Sequence, residues 1–243
     1  MSLKFNDWRS ERELDEERLS LTYHAGSAHH PELDVLMRSR MKMLGNLFRH
    51  LNGQASSDKR YFGSPAIPSS EADIPPDLKQ WLDAYARTVA SHSEVPFEEM
   101  RVLEQTAGFK PDQLELYMVC RNEEGQHLCY HIEEQGRELK CCGRPWNISL
   151  QDAFPPGLLS GSPRAIWFVA ANLHRSHKLL GERGYRYSLL EAGRMAKQVQ
   201  SCAPPTTDTA PIATFYDDRV NEWLGLDGIY EVALAAVVLY DKP

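Results

Sequence analysis

Two short, nearly continuous apolar runs constrain what this chain can become: Pro163-Arg-Ala-Ile-Trp-Phe-Val-Ala-Ala171 and the final run over residues 229 to 240. Neither alternates apolar with polar residues, as a strand with one wet face would. Each is strand-sized, so each reads as a strand buried on both faces. Between them lies a helix. In Arg183–Gln200 the residues Tyr185, Leu189, Ala192, Ala196 and Val199 recur at spacings of three and four and form one stripe, while Arg186, Glu191, Arg194 and Lys197 fall outside it. Gly193 interrupts this helix at a cost of ~1 kcal/mol relative to alanine. That cost predicts a close neighbour, most simply tight helix packing, or a ligand lying against it.

Further elements follow from the same patterns. Residues 7 to 22 read as a charged surface helix anchored by Leu14, Leu19 and Leu21. Pro31–Phe48 is a second helix, with Leu33, Leu36, Met37, Met41, Leu44 and Phe48 on one side as core or subunit interface. Residues 52 to 77 are rich in Gly, Ser and Pro and read as a loop wrapping the surface. A helix restarts at Pro76-Asp77 with Leu78, Trp81, Leu82 and Tyr85 inward, and another runs from Pro96 to Gly108. Leu114, Leu116, Met118 and Cys120 alternate as in a half-buried strand, Asn122–Gly125 turns, and His127–Ile132 returns as a strand before a further turn at Gln135-Gly136. Cys202–Pro211, with its prolines, reads as a stiff, irregular loop. Residues 1–75 thus form N-terminal helices and a wrapping loop, and 76–243 the main domain, as one continuous globular unit.

Composition excludes several classes of function. A net charge of −7 and a pI near 5.7 argue against nucleic acid or an anionic membrane as the main partner. The longest apolar run, Val232–Tyr240, is too short to span a membrane, and the charged start Met1–Arg12 is no secretory signal, so the cytoplasm is expected. Five cysteines without regular spacing fit reduced thiols. His127, Cys129 and His131 share a strand face by their spacing of two, and His174 and His177 lie three apart, but neither set has the spacing of a structural zinc site, so no metal is assigned. No phosphate-binding loop, nucleophile elbow or paired-His metalloprotease pattern occurs.

Motifs carry the functional expectation. Lys178-Leu-Leu-Gly-Glu-Arg-Gly-Tyr-Arg-Tyr-Ser-Leu-Leu-Glu-Ala-Gly193, then Pro211-Ile-Ala-Thr-Phe-Tyr-Asp-Asp218, then Leu224-Gly-Leu-Asp-Gly228 stand in that order, and Tyr23-His24-Ala-Gly-Ser27 opens the chain. The set resembles the SagB/ThcOx-type branch of the nitroreductase-like flavoproteins, over roughly residues 165 to 243. The resemblance implies an α+β fold with a central mixed or antiparallel sheet flanked by helices. It implies FMN, and removal of hydrogen from a thiazoline or oxazoline ring of a modified peptide to leave the azole. It also implies a homodimer, with cyclodehydratase subunits and a precursor peptide as partners.

By the same resemblance, Arg87 and Thr88 stand where the family's Arg-Arg-Ser-x-Arg holds the flavin phosphate; the flanking arginines are absent from Ala86-Arg87-Thr88-Val89-Ala90. Ile212, Ala213 and Thr214 occupy the loop whose N–H groups meet the flavin ring, with alanine and threonine in place of glycines. Lys178 matches the lysine of a Lys-Tyr base pair, with Leu179 at the tyrosine's place, and Arg183 and Arg186 would form salt bridges with Glu182 or Asp217. The family's Pro-Ser-(Ala/Gly)-Gly-Ala-Leu-Tyr-Pro segment is missing after Gly108. Two readings follow: an FMN-dependent azoline dehydrogenase, or a flavin-less relative serving as scaffold or peptide-binding subunit.

Overall fold

The computed structural model describes residues 22–24, 39, 42–43, 66–91, 114–122, 124–133, 138–142, 149–205 and 207–241. The helices expected over 7–21, most of 31–48 and 96–108, and the turn at Gln135-Gly136, lie outside these residues. Among them, seven strands form one sheet: β1 (Ile67–Pro68), β2 (Leu114–Arg121), β3 (His127–Ile132), β4 (Glu138–Cys141), β5 (Pro163–Asn172), β6 (Thr207–Ile212) and β7 (Glu231–Asp241). Their order across the sheet is β1-β4-β3-β2-β5-β7-β6, and every pairing is antiparallel. Helices accompany them among the described residues: α1 (Pro76–Ser91), α2 (Leu173–Leu180), α3 (Arg183–Ser201) and α4 (Asp217–Leu224). None of these is long and apolar enough to cross a membrane.

The apolar runs explain the layering. β5 and β7 are interior strands of the sheet, and Ile166, Trp167, Phe168 and Val169 on β5 are all fully buried, so both faces must be covered. One face packs under α1 and α3, with Leu78, Trp81, Leu82 and Tyr85 against Trp167, Val169, Ala192, Ala196 and Val199. The other packs under α4 and a 3-10 turn at Leu150–Ala153, with Val220, Leu224 and Phe154 against Phe168, Ala236 and Val238. β2 is covered on both sides as well. Tyr117 and Val119 are as buried as Met118 and Cys120, so the half-wet strand expected from alternation is a fully internal one. Tyr117 and Val119 of its second set of side chains pack into the core beneath α4, and the alternation of Leu114, Leu116, Met118 and Cys120 hid that.

Three further expectations are corrected. The stretch read as an irregular loop, Cys202–Pro211, contains most of β6. Proline survives there because β6 is an edge strand and its missing N–H faces outward. Two other outward groups are also paired: Thr207 donates its N–H to the Pro204 carbonyl at 3.0 Å, and the Thr209 carbonyl accepts from Gln200 Nε2 at 3.2 Å. The buried stripe of α3 is Gly184, Ser188, Ala192, Ala196 and Val199, whereas Tyr185 and Leu189 are exposed. Gly193 is exposed, and a Cβ built there meets nothing within 4 Å, so tight packing is not its explanation.

The glycine that does serve close packing is Gly184. A Cβ at that position would lie 2.6 Å from the carbonyl carbon of Ser176 and 3.1 Å from the backbone nitrogen of His177. The α2–α3 hairpin therefore closes backbone against backbone, and Gly181, with φ of 64°, caps α2 at the turn. At the opposite end of the sheet, Arg164 Nη2 meets Asp77 Oδ1 at 2.6 Å and ties the start of β5 to the first turn of α1.

Candidate functional site

The residues expected to act divide among three places. Lys178 lies in α2, which packs beside α3 and the start of β7; its side chain, with that of Leu179, is outside the described residues. Arg87 and Thr88 lie in the last turn and a half of α1. Ile212, Ala213 and Thr214 end β6 and lead toward α4, with Ile212 paired to Ala236 of β7.

β6 relates two of these places. Cys202, at the close of α3, donates its thiol to Thr88 Oγ1 at 3.3 Å, and the chain then enters β6 at Thr207. Ile212 is the sixth and last residue of that strand, and the loop follows. Cys202 packs with the core on the α1 and α3 face of the sheet, whereas Ile212 packs with the core on the α4 face. No described contact joins the Arg87 end to the Ile212–Thr214 end, or Lys178 to either.

Local bonding decides what each end can offer. Arg87 is exposed and its Nε donates to the Asp83 carbonyl at 3.2 Å, which leaves its terminal nitrogens for an anion. Thr88 gives its one hydroxyl proton to the Ala84 carbonyl at 2.9 Å, so it accepts from Cys202 but cannot also donate to a phosphate. This end of α1 also carries the negative pole of the helix dipole, which opposes an anion by ~0.3–1 kcal/mol. At the other end Ala213 and Thr214 are exposed, and among the described backbone hydrogen bonds none uses either N–H. Only glycines have positive φ among the described residues, so alanine and threonine sit in this loop without strain.

The remaining motifs turn out to build the frame. Asp227 Oδ1 accepts from three consecutive backbone N–H groups, those of Ile229, Tyr230 and Glu231, at 2.7 to 2.9 Å, and so fixes the turn into β7. Asn221 Oδ1 accepts from Ala233 N at 3.1 Å and joins α4 to the same strand. Asp227→Ala is expected to destabilise the chain by ~2 kcal/mol, with Asp227→Asn costing less, as measured by urea unfolding. Glu182 pairs with His177 at 3.6 Å. Tyr23 donates its hydroxyl to the Glu182 carbonyl at 3.1 Å and packs edge-on against Tyr185, with ring centroids 5.6 Å apart. Burial there pushes its phenol up. The Tyr23-His24 pair and the Lys178–Gly193 motif, far apart in sequence, thus meet at the α2–α3 turn. Sequence spacing gave no sign of that contact.

On the sheet face under α4, His131 lies 3.8 Å from Glu115 Oε2 and edge-on to Tyr117, whose hydroxyl donates to the same carboxylate at 2.8 Å. The strand-face histidine is thus held in a cross-strand polar cluster.

No family model matches the chain, and no curated protein matches it in sequence. Solved structures do. A protein assigned as a nitroreductase from Anabaena variabilis superposes with a TM-score of 0.60 at 22% identity over 91% of this chain and 46% of its own. This chain therefore spans about half the length of that protein. A chain of the E. coli microcin synthetase McbBCD complex, solved with truncated pro-MccB17 bound, superposes with a TM-score of 0.50 at 16% identity over 82% of each chain. The fold is nitroreductase-like, an α+β sheet covered by helices.

Proposed function

We propose that this chain is an FMN-dependent oxidoreductase of the SagB type that dehydrogenates azoline rings in a modified peptide to azoles. The observation that carries the reading is the pair of exposed anchors at the expected positions, the N–H groups of Ala213 and Thr214 and the Arg87 guanidinium. A flavin mononucleotide needs donors near its ring and a cation near its phosphate, and these residues offer both kinds of group. The McbBCD structure, a peptide-bound synthetase with a similar fold, supports a peptide as substrate and synthetase subunits as partners. A homodimer would complete the site across the subunit interface.

When bound, FMN accepts the hydride removed from the azoline ring. The work of this chain is then to hold the ring through Ile212, Ala213 and Thr214, to pair Arg87 with the phosphate, and to take the neighbouring ring proton on Lys178. Lysine acts as a base only where burial or nearby cations lower its pKa, and Arg175 and Arg183 are the nearby cations in sequence. The phosphate grip is thin. One charged hydrogen-bonding side chain contributes ~1.5–3 kcal/mol, so a single arginine in place of three leaves modest affinity.

Fluorescence titration of the purified chain with FMN tests the reading. Quenching that saturates is expected, and Arg87→Ala is expected to weaken it ~10- to 100-fold. Lys178→Ala is expected to bind FMN as the parent does and to lose azoline oxidation. A second reading is favoured by the Thr88 hydroxyl, which is turned into its own helix: a flavin-less subunit that holds the peptide for a partner. Absence of quenching at excess FMN, with azoline peptide still bound, would establish that reading and end the first.

A further inference from the structure

Five cysteines are dispersed through the sequence, yet the sheet sorts them into unequal relationships. Cys129 lies on β3 and Cys142 directly follows β4. The β3–β4 register pairs Tyr130 with Cys141, so the next rung sets Cys129 opposite Cys142. The Cys142 N–H donates to the Cys129 carbonyl at 2.8 Å, which confirms that rung. Facing residues in an antiparallel pair stand with Cα atoms about 4.5 to 5.5 Å apart, inside the ~4.4–6.8 Å window of a disulfide. Both side chains point to the same face of the sheet, into the core beneath α4. The Cys142 thiol donates to the Lys140 carbonyl at 3.5 Å on the strand it follows.

The other cysteines fail the same test. Cys120 on β2 and Cys141 on β4 share the opposite face but are separated by the whole width of β3, two strand spacings or about 9.6 Å. Cys202 lies at the end of α3, where its thiol is bonded to Thr88. Only one pair among the five is built to bridge.

We infer that Cys129 and Cys142 form a reversible disulfide that staples β4 to β3. Burial and the neighbouring thiol hold the Cys129 thiol well above its usual range, whereas Cys142 is half-buried and meets solvent. The order of events follows from that difference. Cys142 loses its proton and attacks a low-molecular-weight disulfide, which releases one small thiolate and leaves a mixed disulfide on Cys142. The Cys129 sulfur then attacks Cys142 Sγ, gives up its proton, and expels the second small thiolate. The protein dithiol is oxidised by two electrons and the small disulfide is reduced to two thiols. This inference does not depend on flavin binding.

The test treats the reduced full chain with oxidised glutathione at neutral pH and maps disulfides by peptide mass spectrometry without reduction. The expected result is a cross-link between the Cys129 peptide and Cys142, two fewer titratable thiols, and recovery of both with dithiothreitol. A Cys141→Ala chain is expected to cross-link as the parent does, since it removes the neighbouring thiol from the same peptide. Cys142→Ser is expected to abolish the cross-link, and Cys129→Ala to trap glutathione on Cys142. A stable glutathione adduct on Cys142 in the parent chain, or a cross-link made equally by Cys141, would overturn the inference.

Discussion

Gly184→Ala is expected to be the most damaging single methyl added to this protein, with a loss of ~3 kcal/mol or more in urea unfolding followed by circular dichroism. The new Cβ would be pressed against the Ser176 carbonyl and the His177 nitrogen, both backbone atoms that cannot rotate away. Alanine's better helix propensity returns only ~1 kcal/mol. The chain would have to open the α2–α3 hairpin, and Lys178 lies on the helix that would move. Gly193→Ala is the internal control. It lies in the same helix, meets open space, and is expected to gain ~0.5–1 kcal/mol from propensity alone. Equal effects at the two positions would mean that α2 and α3 do not approach as described.

The second large effect is expected in the aromatic cluster beneath α1, where Trp81 and Trp167 pack with centroids 5.0 Å apart and Tyr85 lies 5.6 Å from Trp167. Either tryptophan truncated to alanine should cost ~3–5 kcal/mol. The phenylalanine variants separate them. Trp81 donates Nε1 to the Val199 carbonyl at 2.9 Å and so locks α1 to α3. Trp167 Nε1 is buried with no hydrogen-bond partner among the described residues. Trp81→Phe loses a bond, whereas Trp167→Phe removes a donor that is already a liability. Trp167→Phe is therefore expected to be the milder change by at least ~1 kcal/mol. Equal losses would show that the Trp167 N–H is satisfied, for example by a buried water.

Much of the fold could be read in advance because its central strands are apolar throughout. The run from Ile166 to Ala171 admits little except a strand covered twice, and α1 shows its inward side plainly in Leu78, Trp81, Leu82 and Tyr85. The failures share a cause. β6 was hidden by prolines that are harmful inside a sheet and harmless on its rim. The N-terminal half of α3 was misassigned because a hairpin this close buries Gly184 and Ser188 and leaves the larger Tyr185 and Leu189 outside. Size, more than apolarity, chooses the buried side of such a crossing.

The site was less legible than the fold. A hydroxyl beside an arginine suggests a phosphate grip, but the direction of the Thr88 proton is set by the carbonyl one helical turn earlier. Asp227 looked like part of a functional signature, and its three backbone bonds show a carboxylate that stabilises a turn. Motif order pointed to ancestry in both cases. What each side chain does is decided by hydrogen bonds between residues that spacing alone does not relate.

The rim at β6 has a consequence for how molecules of this protein meet. Where a neighbouring turn, a glutamine side chain and a ring nitrogen take outward sites along one short strand, a second polypeptide laid beside it would meet an interrupted ladder. A chain brought to that side has to be gripped largely by its substituents. A guest with every amide nitrogen methylated should then lose less there than it would on an unblocked edge.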